Sequence, residues 1–191
     1  MNRKEFLKMG CGAGLCGCAG LSFLAQLARG QTAEKKQKEP EHPAVKELQR
    51  KQNWVKKVFT RMLETMGETV DEPTRLKILM SMGRQCANLG GWPTRYKGNP
   101  EGFWNEVLAR WKETAEYDKE NGIITITSSE RTDCTCIFVD KEKTPPYFCD
   151  CSLGWQTEMY ETIFSKPVKV ELVESVLRGG KRCVFKIQIL S

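Results

Sequence analysis

Apolar positions recur at three- and four-residue steps through the first two thirds of the chain and then begin to alternate. Over residues 44–68, Val45, Leu48, Val55, Val58, Phe59, Met62 and Met66 keep the helical step, which predicts a long helix with Pro43 at its first position. Asp71-Glu72-Pro73 opens a second helix, faced by Leu76, Leu79, Met80, Met82, Cys86 and Leu89 and stopped at Gly90-Gly91. After a loop over 92–98, Asn99-Pro100-Glu101 opens a third helix, with Phe103, Trp104, Val107, Leu108 and Trp111 inward and Asn121-Gly122 as its stop.

From Ile123 the period changes to two. Residues 123–127 and 134–139 read as strands, joined by the polar stretch 128–133. Residues 140–146 form a surface loop closed by Pro145-Pro146. Residues 153–165 form a helix with Trp155, Met159, Ile163 and Phe164 inward, ended by Pro167. Residues 168–177 and 182–190 are strands, with Gly179-Gly180 as a two-residue turn. The expected fold class is α+β: three helices, two strands, a crossing helix and two strands, with helices covering an antiparallel sheet.

The residues before this domain read differently. Residues 1–30 have the layout of an export signal: a short basic start, an apolar glycine-rich stretch from Met9 to Ala28, and a small-x-small site at Ala28-Arg29-Gly30. Arg3-Lys4-Glu5-Phe6-Leu7-Lys8 resembles the twin-arginine export motif, with Lys4 in place of the second arginine. A retained anchor helix and a lipobox-like reading of Leu15-Cys16-Gly17-Cys18 are the alternatives. Residues 31–43 are a polar linker, expected to be disordered, that holds His42, the one histidine of the chain. Residues 44–191 form a single domain, expected outside the cytoplasm.

Charge narrows the function classes. The formal charge is +6, but residues 1–30 hold four basic side chains against Glu5, so the remainder carries +3. Lys and Arg are interspersed with Asp and Glu, and no nucleic-acid partner is expected. The expected partner is a small-molecule ligand, with a homodimer allowed and membrane contact only through an uncleaved signal. With no histidine in residues 44–191, histidine-based catalysis is excluded there.

The candidate chemistry is cysteine chemistry. Cys134-Thr135-Cys136, Cys149-Asp150-Cys151 and Cys183 follow Cys86. Alternation puts Glu174 on the inner face of its strand with Val168, Val170, Leu172 and Val176. A Gly179-Gly180 turn sets it opposite Phe185 and diagonal to Cys183. A carboxylate there needs a partner. Cys134, Cys136, Cys149, Cys151, Cys183 and Glu174 are the candidate metal ligands, for zinc or an iron–sulfur group. Disulfides among the even six, or unlinked thiols, are the competing readings. Cys86, Trp155 and Tyr160 are the candidate pocket residues.

Residues 147–189 resemble the 4-vinyl-reductase-type small-molecule-binding domain. The matching residues are Cys149 or Cys151 before a helix, Gly154, Lys166-Pro167-Val168, Glu174, Gly179-Gly180 and Cys183-Val184-Phe185. The resemblance implies a ligand pocket beside a zinc held by cysteines and Glu174. Leu177 departs from it, standing where the family's regulators carry another cysteine. The same segment is similar to the L-2-amino-thiazoline-4-carboxylic acid hydrolase family. That likeness implies C–N bond hydrolysis by a thiolate, with Glu174 as the one placed base.

Overall fold

The computed structural model describes residues 42–191. The export-signal, lipobox and anchor readings, and the linker as far as Glu41, lie outside the described residues. Helix α1 (Pro43–Thr69) begins with His42 at its cap, whose Nδ1 accepts from the Ala44 amide. The histidine assigned to the linker is thus the first residue of the described unit, far along α1 from the cysteines in sequence. Helix α2 (Glu72–Leu89) is capped by Asp71, whose carboxylate accepts from the Thr74 amide.

Short helices α3 (Trp92–Arg95) and α4 (Pro100–Phe103) follow, the latter capped by Asn99 and continuing as a π-helical turn over Trp104–Leu108. Lys112 then takes a left-handed backbone, φ 59°, and the helix cannot continue. The remaining elements are β1 (Glu113–Asp118), β2 (Ile123–Ser128), α5 (Asp150–Phe164), β3 (Val168–Glu174) and β4 (Val184–Ile189).

The four strands form one antiparallel sheet in the order β1-β2-β4-β3. Its inner face is built in rows across the strands. Ala115, Ile126, Phe185 and Leu172 make one row; Tyr117, Ile124, Ile187 and Val170 make the next. Met159, Tyr160 and Ile163 of α5 pack in the same core as these rows.

The class and the order of elements are those expected, but one strand is a different segment. Residues 113–118, expected within the third helix, alternate Glu-Thr-Ala-Glu-Tyr-Asp with Ala115 and Tyr117 half-buried and the residues between them exposed. Asn121-Gly122 is a hairpin turn and not a helix stop: Gly122 has φ 64°, and Asp118 accepts from the Glu120 and Asn121 amides. Residues 134–139, expected as a strand, pair with no strand. They are irregular, with a tight turn from the Val139 amide to the Cys136 carbonyl.

Helices α2 and α5 cross very closely. A Cβ on Gly83 would lie 1.8 Å from the Cys151 carbonyl oxygen, and one on Gly154 would lie 1.9 Å from the Met80 carbonyl oxygen. Arg84 clasps the same crossing, reaching Glu158 and Glu161 at 2.8 Å each. A second, smaller core lies under α1. It joins Leu63, Leu79, Val139, Phe148 and Leu177, with Cys134, Cys149 and Cys151 packed against it.

Candidate functional site

The described cysteines come from four places in the fold: Cys86 from the last turn of α2, Cys134 and Cys136 from the irregular segment, Cys149 and Cys151 from the start of α5, and Cys183 just before β4. All six are unpaired thiols. They sort into two groups by electrostatic influence. Cys149 and Cys183 bear on Cys134, and Cys183 bears on Cys149; Cys86 bears on Cys136, and Cys136 and Cys86 both bear on Cys151. Each Cys-x-Cys pair is therefore split, its first thiol going to one group and its second to the other. The two groups adjoin, since Cys134 also senses Cys136 and Cys151 senses Cys149.

The split has a local cause. An extended Cys-x-Cys would aim both sulfurs one way. Here Cys134 and Cys136 lie in irregular backbone that leads into a turn, and Cys149 and Cys151 lie at a helix start, where residues two apart face different directions. Among the described residues, no three Cys, His, Asp or Glu side chains converge closely enough to hold a metal ion.

The first group is fixed by two buried serines. Ser175 Oγ lies 3.0 Å from Cys149 Sγ and accepts from the Arg178 amide. Ser128 Oγ accepts from the Cys183 amide at 2.9 Å, and the Ser128 amide donates to the Cys183 carbonyl. Arg178 adds an ion pair to Asp150 at 2.6 Å, tying the turn after β3 to the start of α5.

Glu174 holds this turn. Glu174 is half-buried, but the alternation expected to put it on the inner face is broken before it, and its partner Val184 alternates with the inner-row residues Phe185 and Ile187. A bulge between Leu172 and Glu174 puts Phe185 opposite Leu172 and Val184 opposite Glu174. The chain from Ser175 to Cys183 is not a two-residue hairpin; it carries a 3₁₀ turn over Val176–Arg178. Glu174 Oε1 accepts from the amides of Lys181 at 2.7 Å and Arg182 at 3.2 Å. These bonds supply the partner that a carboxylate there requires. A Cβ on Gly180 would lie 2.6 Å from Glu174 Cγ, so the turn depends on glycine at that position.

The second group opens onto an apolar cleft of about 430 Å³. Phe59, Phe138 and Phe148 form its aromatic side, with ring centroids 5.1 and 5.0 Å from Phe59. Cys86, Cys136 and Cys151 lie along the cleft, and Met82, Leu89 and Ile137 complete its apolar wall. Gln85 is the one lining residue with a hydrogen-bonding amide. Leu89 and Ile137 are left 89% and 63% exposed.

Of the expected pocket residues, Cys86 lines this cleft. Trp155 and Tyr160 are placed in the main core instead. Tyr160 is fully buried and accepts from Trp104 Nε1, and Trp155 packs on Phe103 and Trp111. Phe59, Ile137 and Phe138 had no pocket signal in the sequence: Phe59 reads as a core position, and the other two as part of a strand.

Burial favours the neutral form of Cys134, Cys136, Cys149 and Cys151. Burial pushes Cys151 up to about 12 and Cys134 to about 11. A helix N-terminus ordinarily lowers a nearby thiol; at Cys151 desolvation prevails. Burial also raises Cys149, against the opposing effects of Ser175 and Arg178, and desolvation raises Cys136 although that residue as a whole is exposed. Among the described residues, no histidine or carboxylate hydrogen-bonds to a cysteine sulfur. The arrangement suits an apolar guest better than a thiolate nucleophile.

No protein-family model matches the chain, and no curated protein matches it. Solved structures similar to the chain include the following two. One is a trafficking protein particle complex subunit 3 from Naegleria fowleri covalently bound to palmitic acid. It has 15% identity and a TM-score of 0.47, over 75% of this chain and 97% of that one. The other is a vinyl-4-reductase family protein from Methanocaldococcus jannaschii. It has 15% identity and a TM-score of 0.36, over 82% of this chain and 86% of that one.

Proposed function

We propose that the protein is an exported binding module for a small apolar molecule, which sits in the cleft between α1, α2 and the irregular segment around Phe138. The observation that carries this reading is the cleft itself. About 430 Å³ is within the usual range for ligand pockets, and its lining is aliphatic, aromatic and thiol apart from Gln85. Apolar surface left open to water at this scale is retained where it has an occupant. Export rests on the pattern of residues 1–30.

Beside the cleft, Cys134, Cys149 and Cys183 are the residues that would hold a thiophilic group. Their softness fits zinc or an iron–sulfur group. As they stand, no three of the described Cys, His, Asp or Glu side chains converge on one ion, so a bound group would have to draw these thiols together. Such a group would supply charge and rigidity behind the pocket. Glu174 would serve it by fixing the Lys181–Cys183 backbone, and the high thiol pKa values mean that loading releases protons. Hydrolysis by a thiolate is the weaker alternative, because the buried thiols are neutral at pH 7.

The test is equilibrium titration of the full chain with an anilinonaphthalene fluorophore as apolar probe. One site per chain is expected, weakened at least about tenfold in Ile137→Glu and Phe138→Ala. Probe affinity unchanged in both variants overturns the reading. Elemental analysis with thiol titration of the same sample tests the metal separately. No zinc or iron, with every thiol titrating freely under denaturant, removes that part.

A further inference from the structure

The first half of α1 carries an apolar face that nothing among the described residues covers. Thr60 and Leu63 are the helix's buried positions, while Leu48 and Trp54 are 67% and 64% exposed. Leu48, Val55, Val58 and Met62, all exposed, recur at three-, four- and seven-residue steps and so form one stripe along the helix. A second stripe runs beside it: Lys46, Arg50, Lys57 and Arg61, at steps of four and seven. Trp54 lies on the border between the two. Residues 43–62 hold six Lys or Arg against the single Glu47. Glu47 pairs with Arg50 and Lys51, and Glu64 pairs with Arg61, but these are exposed contacts that hold the cations weakly.

We infer that this face docks on an anionic lipid bilayer. The helix lies in the interface, with the Leu48–Met62 stripe among the acyl chains, the cations at the headgroups and Trp54 at the boundary. An amphipathic helix that is polar over most of its surface, cationic on one side and bearing Trp and Leu on the other, has the composition that this mode of binding requires. Charge decides between a bilayer and a second copy of the chain. Lys51 projects within the apolar stripe, and two copies laid face to face would bring their cationic stripes together. An anionic surface neutralises them.

Docking also sets the cleft's address. Phe59 lies one turn beyond Val55, between the stripe and the cleft, and stacks on Phe138. The exposed Leu89 and Ile137 at the cleft would then face the bilayer region, from which an apolar guest could pass without crossing water. This last step rests on the reading of the cleft as a ligand site; the docking itself does not.

The test uses the full chain with vesicles of phosphatidylglycerol and phosphatidylcholine in equal parts, and with vesicles of phosphatidylcholine alone. Emission from Trp54 is isolated by subtracting the Trp54→Phe variant. Trp54 is expected to shift to the blue and to be quenched by brominated acyl chains on the anionic vesicles only. Leu48→Glu/Val55→Glu and Lys57→Glu/Arg61→Glu are each expected to lower that signal's vesicle affinity at least about tenfold. All four positions are exposed, so an unchanged circular dichroism spectrum shows that each variant folds. A chain that sediments with vesicles while Trp54 stays in water overturns the proposal, because residues 1–41 then hold the membrane. Wild-type affinity in both variants overturns it too, as does burial of Trp54 in a concentration-dependent dimer without lipid. Probe titration in vesicle-free buffer reads the cleft independently.

Discussion

Placing a methyl group on Gly83 or Gly154 decides whether the α2–α5 crossing positions the site. Each Cβ would meet a carbonyl oxygen of the facing helix, at 1.8 Å for Gly83 and 1.9 Å for Gly154. An ordinary contact is about 3.5 Å, so the helices must part by roughly 1.5 Å. Neither obstacle is a flexible side-chain tip; both are helical backbone. Two effects oppose each other. Alanine in place of glycine inside a helix gains about 0.5–1 kcal/mol. Overpacking costs typically about 1–3 kcal/mol, and more where backbone must move. The net expectation for Gly83→Ala or Gly154→Ala is a loss of about 1–2 kcal/mol, read by urea unfolding of the full chain under reductant. One separation of the helices relieves both clashes, so the double variant should lose less than the sum of the singles. Parting the helices also carries Cys151 away from Cys86, so probe affinity at the cleft should fall in parallel. Variants as stable as wild type or more so, gaining the increment that propensity alone predicts, would refute the reasoning.

Three further outcomes follow from single groups. Cys151 is raised from 9.0 to about 12, so its contribution to stability is complete below pH 9 and is lost as pH climbs from 9 toward 12; of the stability lost in reductant between pH 9 and pH 10, about 1 kcal/mol is its share, and Cys151→Ala should reduce the loss by that amount. Glu174→Ala removes two charge-assisted bonds to the Lys181 and Arg182 amides and should cost about 1–3 kcal/mol, while Glu174→Gln keeps an acceptor and should stay within about 1 kcal/mol of wild type. If Glu174→Gln folds normally yet loses bound zinc or iron, the carboxylate is a ligand and not only a brace. Asp71→Ala removes the cap on Thr74 and should lower stability by about 1 kcal/mol without touching the cleft.

The first two helices were legible because each carries a helical period and a start signal, Pro43 for one and Asp71-Glu72-Pro73 for the other, and Asp71 and Asn99 cap where capping chemistry places them. The two misreadings share a cause: local signals with two meanings. Asn121-Gly122 ends a helix or turns a hairpin, and the weak alternation of Ala115 and Tyr117 was not enough to choose between them. Residues 134–139 look like a strand because Ile137, Phe138 and Val139 are apolar, yet they pack individually, Phe138 on Phe59 and Val139 in the smaller core. Along β3 the alternation was readable but the bulge before Glu174 was not, since a bulge depends on the turn beyond it. The splitting of each Cys-x-Cys pair follows from backbone that is turned or helical at those points, which spacing alone does not reveal. The cleft was invisible for the same reason: Phe59, Cys86 and Phe138 come from three separate segments.

If the apolar cleft holds a guest against Cys86 and Cys136, that guest must shield those two thiols, and their protection is the most direct test. The full chain is alkylated with iodoacetamide at limiting time, with and without saturating anilinonaphthalene probe, and the modified sites are mapped by mass. The probe is predicted to slow labelling of Cys86 and Cys136 several-fold, in step with its occupancy, and to leave Cys183 unchanged. Equal labelling of Cys86 and Cys136 with and without bound probe would contradict a guest in the cleft.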